Sequence, residues 1–414
     1  MAIDAAREGL FEFREFKGLR NTVDARDFES GDLETALNVD IDDGLNITRR
    51  KGYSTAVVAG VDRCLFAEGS ICLGVGSNVL KQILPDYSTV TLRTGLSAGR
   101  PLSYSRVANR VYYANGVETG VVENGQSRTW GLTLPGHPTL ASTTGSMRAG
   151  RYQVVITYIR SDGQESGAGR AAVIELASTG GVAITAIPVS TDSSVTHKSV
   201  YCTATNGATL IRIGTILNAT TTFDIREMPD ISAPLTTQHL SPPPAGEYIA
   251  YSNSHMLVAV DSALYPSEPF APELFDYRKR VPFLSAITMV APLNNESDGV
   301  WIGTEDEIVW LSGATPETWT YLTKADYGVI PGTQAYADGE VLGDGSGTGA
   351  QCVFFMTKNG VCAGMTGGRL LNMTQERFAI PAMDTGAGVV RKHRGTIQYV
   401  SVLQGVEAAA NSHS

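Results

Sequence analysis

The sequence predicts an all-β chain: a β-propeller-like domain carrying an inserted β-sandwich of fibronectin-III or immunoglobulin type. Three observations predict it. A short apolar hairpin recurs along the chain, the composition changes in the middle of it, and helical periodicity is scarce.

The recurring unit is clearest at Gly299–Gly313, which reads GVWIGTEDEIVWLSG. Two apolar strands flank an acidic turn, and Gly closes each end. Similar units stand at Ile71–Ile83 (ICLGVGSNVLKQI), Arg110–Gly125 (RVYYANGVETGVVENG), His255–Glu268 (HMLVAVDSALYPSE) and Cys352–Thr374 (CVFFMTKNGVCAGMTGGRLLNMT). Repeated hairpins of this build imply small sheets stacked radially.

Taken in order, Leu33–Asn38 has enough helix formers for a turn or two. Val39 and Ile41 then alternate with acids, Asp42-Asp43-Gly44 turns the chain, and Leu45 and Ile47 alternate again. That pattern is a hairpin. Residues 1–135 form the first propeller part with an N-terminal arm. The texture changes at Leu134-Pro135-Gly136-His137-Pro138 to Thr, Val, Ile, Ala and Ser. Strands are expected at Gly150–Ser166 around an Asp-Gly turn, and at Val182–Pro188, Ser199–Thr203 and Thr209–Ile216, with Thr220–Asp224 leading out. Short strands with turns every 8–12 residues fit a sandwich over residues 136–238. Ser241-Pro242-Pro243-Pro244 is a stiff exit. Hairpins resume over residues 239–414, the second propeller part. Asp338–Gly349 is Gly-rich and reads as a loop.

At 414 residues, with 44 Gly and 18 Pro, the chain suits two or three domains rich in tight turns. The net charge is −10, and residues 239–414 hold 10 basic against 18 acidic side chains. Such a balance argues against a sequence-reading nucleic-acid binder. The five cysteines are widely spaced and form no CxxC pair, so reduced thiols are expected. The first residues carry acids where a signal peptide needs an apolar run. No membrane-spanning segment is expected.

No chemical motif survives inspection. Asn38–Arg49 places acids like a calcium loop but has Asp43 and Arg49 where Gly and Glu belong. Gly74-Val75-Gly76 is followed by Val79 where a dinucleotide fingerprint needs its third Gly. Gly343–Gly349 lacks the Lys-Ser/Thr of a phosphate loop. The six histidines have no metal-ligand spacing. No catalytic residue, metal or cofactor is therefore expected, and the chain reads as no enzyme. Carboxylate pairs such as Glu305 and Glu307 are of the kind glycosidases use, and this reading places them in a solvated turn. Trp301 and Trp310 flank that turn as a cross-strand core pair. Three basic clusters stand out: Arg49-Arg50-Lys51, Arg278-Lys279-Arg280 and Arg391-Lys392-His393-Arg394. They read as solvated loops, subunit contacts or phosphate contacts along a DNA channel, carried by Arg49, Arg50, Lys51, Arg278, Lys279, Arg280, Arg391, Lys392 and Arg394.

Several phrases resemble the hub or nozzle proteins of short-tailed bacteriophages, the packaged-DNA stabilisation family. They are Phe16-Lys17-Gly18-Leu19, Asn38–Tyr53, Arg110–Gly116, Gly150–Glu165, Leu264–Glu268, Gly299–Gly313, Tyr327–Thr333 and Lys358–Thr374. The resemblance implies a structural virion protein of the phage tail, made in the bacterial cytoplasm. It implies a cyclic ring, a hexamer, that closes in and later conducts double-stranded DNA without sequence specificity. Its partners would be copies of itself, the portal-adaptor ring, and tail fibres or a tail needle. A neck or tail-tip protein of another phage type and a propeller glycoside hydrolase stand as alternatives.

Overall fold

The computed structural model describes residues 16–36, 39–41, 46–49, 60–230, 232–293, 299–339, 351–374, 377–380, 383–393 and 396–405. The Asp42-Asp43-Gly44 turn and the Gly343–Gly349 loop lie outside the described residues. Among those described, the chain is all-β apart from single turns of 3-10 helix. It divides into two compact units: Met1–Val61 with Ile83–Thr89 and Phe283–Ser414, and Asp62–Gln82 with Val90–Pro282.

The strands in chain order begin with a parallel pair, β1 (Gly18–Leu19) and β2 (Asp32–Leu33), and a hairpin, β3 (Val39–Ile41) and β4 (Ile47–Arg49). The first four-stranded antiparallel sheet is β5 (Arg63–Glu68), β6 (Ile71–Gly76), β7 (Val79–Ile83) and β8 (Thr89–Arg93). The second is β9 (Ser103–Val107), β10 (Arg110–Ala114), β11 (Thr119–Glu123) and β12 (Gln126–Arg128). Then come β13 (Thr139–Met147), β14 (Gly150–Arg160), β15 (Ala172–Leu176), β16 (Gly180–Thr185), β17 (Val195–Thr203), β18 (Leu210–Leu217) and β19 (Phe223–Ile225). They form two sheets, ordered β13-β16-β19 and β15-β14-β17-β18. A third sheet of the first kind has β20 (Tyr248–Ser252), β21 (His255–Val260), β22 (Ala263–Glu268) and β23 (Ala271–Phe275), with β24 (Val281–Pro282) on β22. A fourth has β25 (Ile287–Pro292), β26 (Gly299–Thr304), β27 (Ile308–Ser312) and β28 (Thr320–Ala325). A fifth has β29 (Ala335–Asp338), β30 (Gln351–Thr357), β31 (Gly360–Gly364) and β32 (Leu370–Asn372). The last element is a hairpin, β33 (Thr385–His393) and β34 (Thr396–Gln404).

Each recurring unit of the sequence is the central hairpin of one of these five sheets. The middle positions of their strands are mostly apolar and buried because both faces are covered there. In β10, Val111 and Tyr113 pack with Leu73, Val75 and Leu80 of the preceding sheet. Tyr112 and Ala114 point the other way, onto Ile249, Met256, Val258 and Phe275 of the third. The fifth sheet repeats the device. Val353 and Phe355 join the fourth sheet's core, and Cys352 and Phe354 face β33–β34. Turn chemistry closes the units: Ser77 and Asn78 both take positive φ between β6 and β7, as a two-residue hairpin loop demands. The result is an all-β fold of stacked four-stranded meanders that resembles propeller-type architectures. Among the described residues no sheet closes into a barrel.

The strands within 139–225 form a separate core. Tyr152, Val154 and Ile156 of one sheet meet Val182, Ile184 and Ile225 of the other.

The expected helical turn at Leu33 is corrected. The carbonyl of Leu33 accepts from the Arg20 N–H at 2.9 Å, and the neighbouring Asp32 takes the Arg20 guanidinium, also at 2.9 Å. A strand pairing and an ion pair thus override a short helix-forming run too weak to nucleate alone.

Candidate functional site

Among the described residues, a large buried ionic group lies in the second unit. Glu273 on β23 is 2% exposed. Arg160, at the end of β14, donates to its two oxygens at 2.7 and 3.1 Å. Arg128 on β12 donates at 2.8 Å, and the Gly131 N–H at 3.2 Å. Arg160 also forks onto Asp162 at 3.0 and 2.9 Å, and Arg110 binds Glu123 at 2.9 Å. Burial pushes the Glu273 carboxyl towards its neutral form, but the guanidinium bonds outweigh it and hold the group below the usual range. Asp162 is likewise lowered, to about 2, by Arg160 and the Gln164 N–H against its own desolvation. Every charge has a counter-charge, so the cluster acts as a fastener between β14 and the sheets of β12 and β23.

Glu307 departs from its expected place. Glu305 and Asp306 are exposed in the turn, but Glu307 is 7% exposed. One of its oxygens accepts from the Tyr321 hydroxyl, the other from Thr323 Oγ1 at 3.1 Å. Burial, followed by the bond to Glu307, raises the Tyr321 phenol. Thr304 Oγ1 accepts from the Glu307 N–H at 3.0 Å and turns the chain inward. Trp301 and Trp310 are direct cross-strand partners, buried with ring centroids 5.1 Å apart.

The basic clusters fall in both units, Arg49 and Arg391 in the first and Arg278, Lys279 and Arg280 in the second. Arg49 is exposed on β4, while Arg50, Lys51 and Arg394 lie outside the described residues, as does the Lys392 side chain. Arg278 is held by Asp276 at 2.7 Å and Lys279 by Glu268 at 2.8 Å; Arg280 is exposed. Arg391 donates to Gln398 at 2.9 Å and lies 3.6 Å from Asp40. Among the described residues no group of His, Cys, Asp and Glu could hold a metal ion. No helix among them is long and apolar enough to cross a membrane.

The surface that sequence reasoning missed is β33–β34. Its inner face is packed: Val390 and Tyr399 lie on Cys352, Phe354 and Met365, and the Tyr399 hydroxyl donates to the Thr333 carbonyl at 2.6 Å. Gly388 allows that approach, since a Cβ there would sit 2.0 Å from the Thr333 oxygen. The outer face carries Ala387, Val389, Val400 and Val402, paired Ala387–Val402 and Val389–Val400. Val389 is 55% exposed and Val402 70%. The available signal was the alternation in Thr396–Gln404 (TIQYVSVLQ), which gives the strand but not which face stays bare.

No family model matches the chain, and no curated protein matches it. Solved structures match over most of its length at low similarity. Apo AztD from Citrobacter koseri is 11% identical, with 87% of this chain and 92% of that one covered and a TM-score of 0.28. A streptogramin B lyase is 7% identical, with 84% and 96% covered and a TM-score of 0.33. The extracellular domain of the two-component-system protein BT4673 from B. thetaiotaomicron is 12% identical, with 81% of this chain and 36% of that one covered and a TM-score of 0.28. This chain spans about a third of that protein. Likeness at this level transfers no activity to this chain.

These findings correct the resemblance to phage tail nozzles. None of the three is a phage tail protein. With the resemblance go the virion-tail location and cytoplasmic synthesis, the hexameric ring, and the portal-adaptor, fibre, needle and DNA partners. The expectation of no enzyme is corrected as well, because a lyase stands among the matches. The physical reason is plain. The later phrases that carried the resemblance fall largely on central hairpins, and any sheet covered on both faces needs such apolar strands and tight turns.

Proposed function

We propose that this chain is a binding protein whose propeller-type sheets carry an inserted sandwich, residues 136–238, between parts 1–135 and 239–414. Its interaction surface is the outer face of β33–β34. The observation that carries this reading is the contrast across one hairpin: a packed inner face and an outer face with Val389 and Val402 more than half exposed. Side chains of this kind gathered on one face mark interaction sites. Arg391 borders the stripe on the same face and serves as an interface contact. The Glu273 fastener supports the reading by fixing the sandwich against its neighbouring sheets.

The test begins with a photo-crosslinking residue at position 402. The expected result is one adduct whose partner, purified, binds the purified chain, with Val402→Lys weakening that binding at least about tenfold, or 1.4 kcal/mol. Undiminished binding by Val402→Lys overturns the reading.

One observation favours a second reading, a propeller-type hydrolase acting on sugars. Glu305 and Glu307 share one turn, the first exposed and the second buried, and paired carboxylates are what glycoside hydrolysis uses. Hydrolysis of aryl glycosides that disappears in both Glu305→Gln and Glu307→Gln would establish it. Activity that survives both substitutions removes it.

A further inference from the structure

The open edge of β34 specifies what kind of partner the binding surface takes. In an antiparallel pair, residues alternate between those that exchange bonds with the partner strand and those whose N–H and C=O aim away from it. The N–H groups of Gly386 and Gly388 donate to the carbonyls of Pro331 and Gly332, at 2.8 and 3.2 Å, on the side of β33 away from β34. Their partners across the ladder are Leu403 and Ser401. Leu403 and Ser401 therefore aim their backbone groups outward, and the alternation adds Tyr399 and Ile397. Among the described residues no backbone hydrogen bond reaches this outer side. At Gly386 and Gly388 the β33 edge is covered by the Pro331-Gly332 segment; among the described residues the β34 edge has no such cover.

Natural proteins blunt such edges with charge, proline or bulges. Strand β34, TIQYVSVLQ, has no charged residue, no proline and no glycine, and its ladder with β33 is continuous over nine pairs. Beside it lies the apolar stripe of half-buried Val400 and exposed Val402. A row of unpaired donors and acceptors is satisfied by another strand, and the adjoining valines favour apolar side chains at every second position of it. The chain carries a net charge of −10, which sets two copies against each other.

We infer that β34 receives an extended segment of a different protein as an added strand, antiparallel or parallel, with apolar residues at alternate positions. This rests on the reading of the chain as a binding protein.

The experiment uses the full chain and a defined probe, the peptide Lys-Thr-Val-Thr-Val-Thr-Val-Lys. Amide hydrogen exchange is followed at Ile397, Tyr399, Ser401 and Leu403. Saturating peptide is expected to slow these four amides at least tenfold and leave those of Val400 and Val402 unchanged. Ser401→Pro removes one outward N–H and the exposed bond from Ser401 Oγ to the Ala387 carbonyl, but no ladder bond, so it should lower the melting temperature only slightly and weaken the peptide at least tenfold. Ile397→Pro repeats the test should the first variant fold poorly. Val402→Lys, which alters the face alone, separates the two readings. If it weakens binding and both proline variants do not, strand addition is wrong and the binding surface stands. If no variant matters, both readings fail. Slow exchange of the same amides in the free chain, with a dimer in sedimentation, gives the edge to a second copy and overturns the proposal. Exchange unmoved by the peptide overturns it too.

Discussion

Arg160 and Glu273, 113 residues apart in the chain, meet through two parallel hydrogen bonds of 2.7 and 3.1 Å. The guanidinium is 4% exposed and the carboxylate 2%. Two charges taken this far from water cost several kcal/mol each to desolvate, and their attraction returns that only with both forks made. Here both are made, and Arg128 fills the outer side of the carboxylate. The pair is therefore a fastener whose strength shows when one half is removed.

Glu273→Ala should destabilise the second unit by about 3–5 kcal/mol, because it strands buried guanidinium groups. Glu273→Gln should cost less, since one amide oxygen still accepts. Urea unfolding followed by tryptophan fluorescence reads both, with Trp130 close by, donating to the Pro272 carbonyl at 2.8 Å. Equal stability of Glu273→Ala and wild type would show that the cluster carries no net weight.

The same cluster sets an acid limit. Glu273 and Asp162 are depressed in the folded state, Asp162 to about 2. In the unfolded chain they titrate near the ordinary values, roughly 4.3 and 3.9. A depressed acid adds stability above its unfolded pKa and loses it as pH falls through its folded value. Stability of the second unit should thus hold down to about pH 5 and fall steadily towards pH 2. Glu273→Gln should flatten that fall, which thermal melts across the range would show. A slope identical to wild type would assign the acid sensitivity to other carboxylates.

Much of the fold is legible because burial leaves a mark on composition. The central hairpins of five sheets are apolar on both faces, so GVWIGTEDEIVWLSG and its relatives stand out. Outer strands leave a weaker mark. Thr320–Ala325 is exposed over five of its six positions, so it carries no apolar run to mark it. The sites are harder still. Glu273 finds Arg160 and Arg128 across 113 and 145 residues, with no local pattern to announce it. Glu307 sits two residues from an exposed Glu305, and only the Tyr321 and Thr323 side chains of the next strand tell them apart. The cluster at Arg391 reads as a charge run, yet it is the end of a strand that carries the exposed Val389.

Glycine sets the spacing around the tryptophan pair. A Cβ on Gly364 would sit 2.8 Å from Trp301 Cε2, and one on Gly368 2.5 Å from Trp310 Cδ1. Gly364→Ala should therefore cost about 1–3 kcal/mol by overpacking, and Trp301→Ala about 3–5 kcal/mol by leaving a cavity. Combined, the two should cost less than their sum, because the truncated indole makes room for the added methyl. A double-mutant cycle in urea checks this, and strict additivity would mean the glycine is not there for the indole.

The thiols give a last, independent check on the packing. Cys202, Cys352 and Cys362 are buried, while Cys64 and Cys72 are partly exposed. Burial pushes the Cys202 thiol up to about 12 and the Cys352 thiol to about 11, and raises Cys362 as well. The thiolate is the reactive species, so these three need both exposure and deprotonation that the folded chain denies them. Alkylation by iodoacetamide at pH 8, read by mass spectrometry, should label Cys64 and Cys72 first. Labelling of the other three should follow the opening of their own sheets, with Cys202 reporting the core around Tyr152 and Val154, and Cys362 the core around Trp301 and Trp310. Glu273→Ala should speed Cys202 far more than Cys362, because the fastener it breaks lies in the same unit as Cys202. Equal acceleration of both would mean that the two cores open as one.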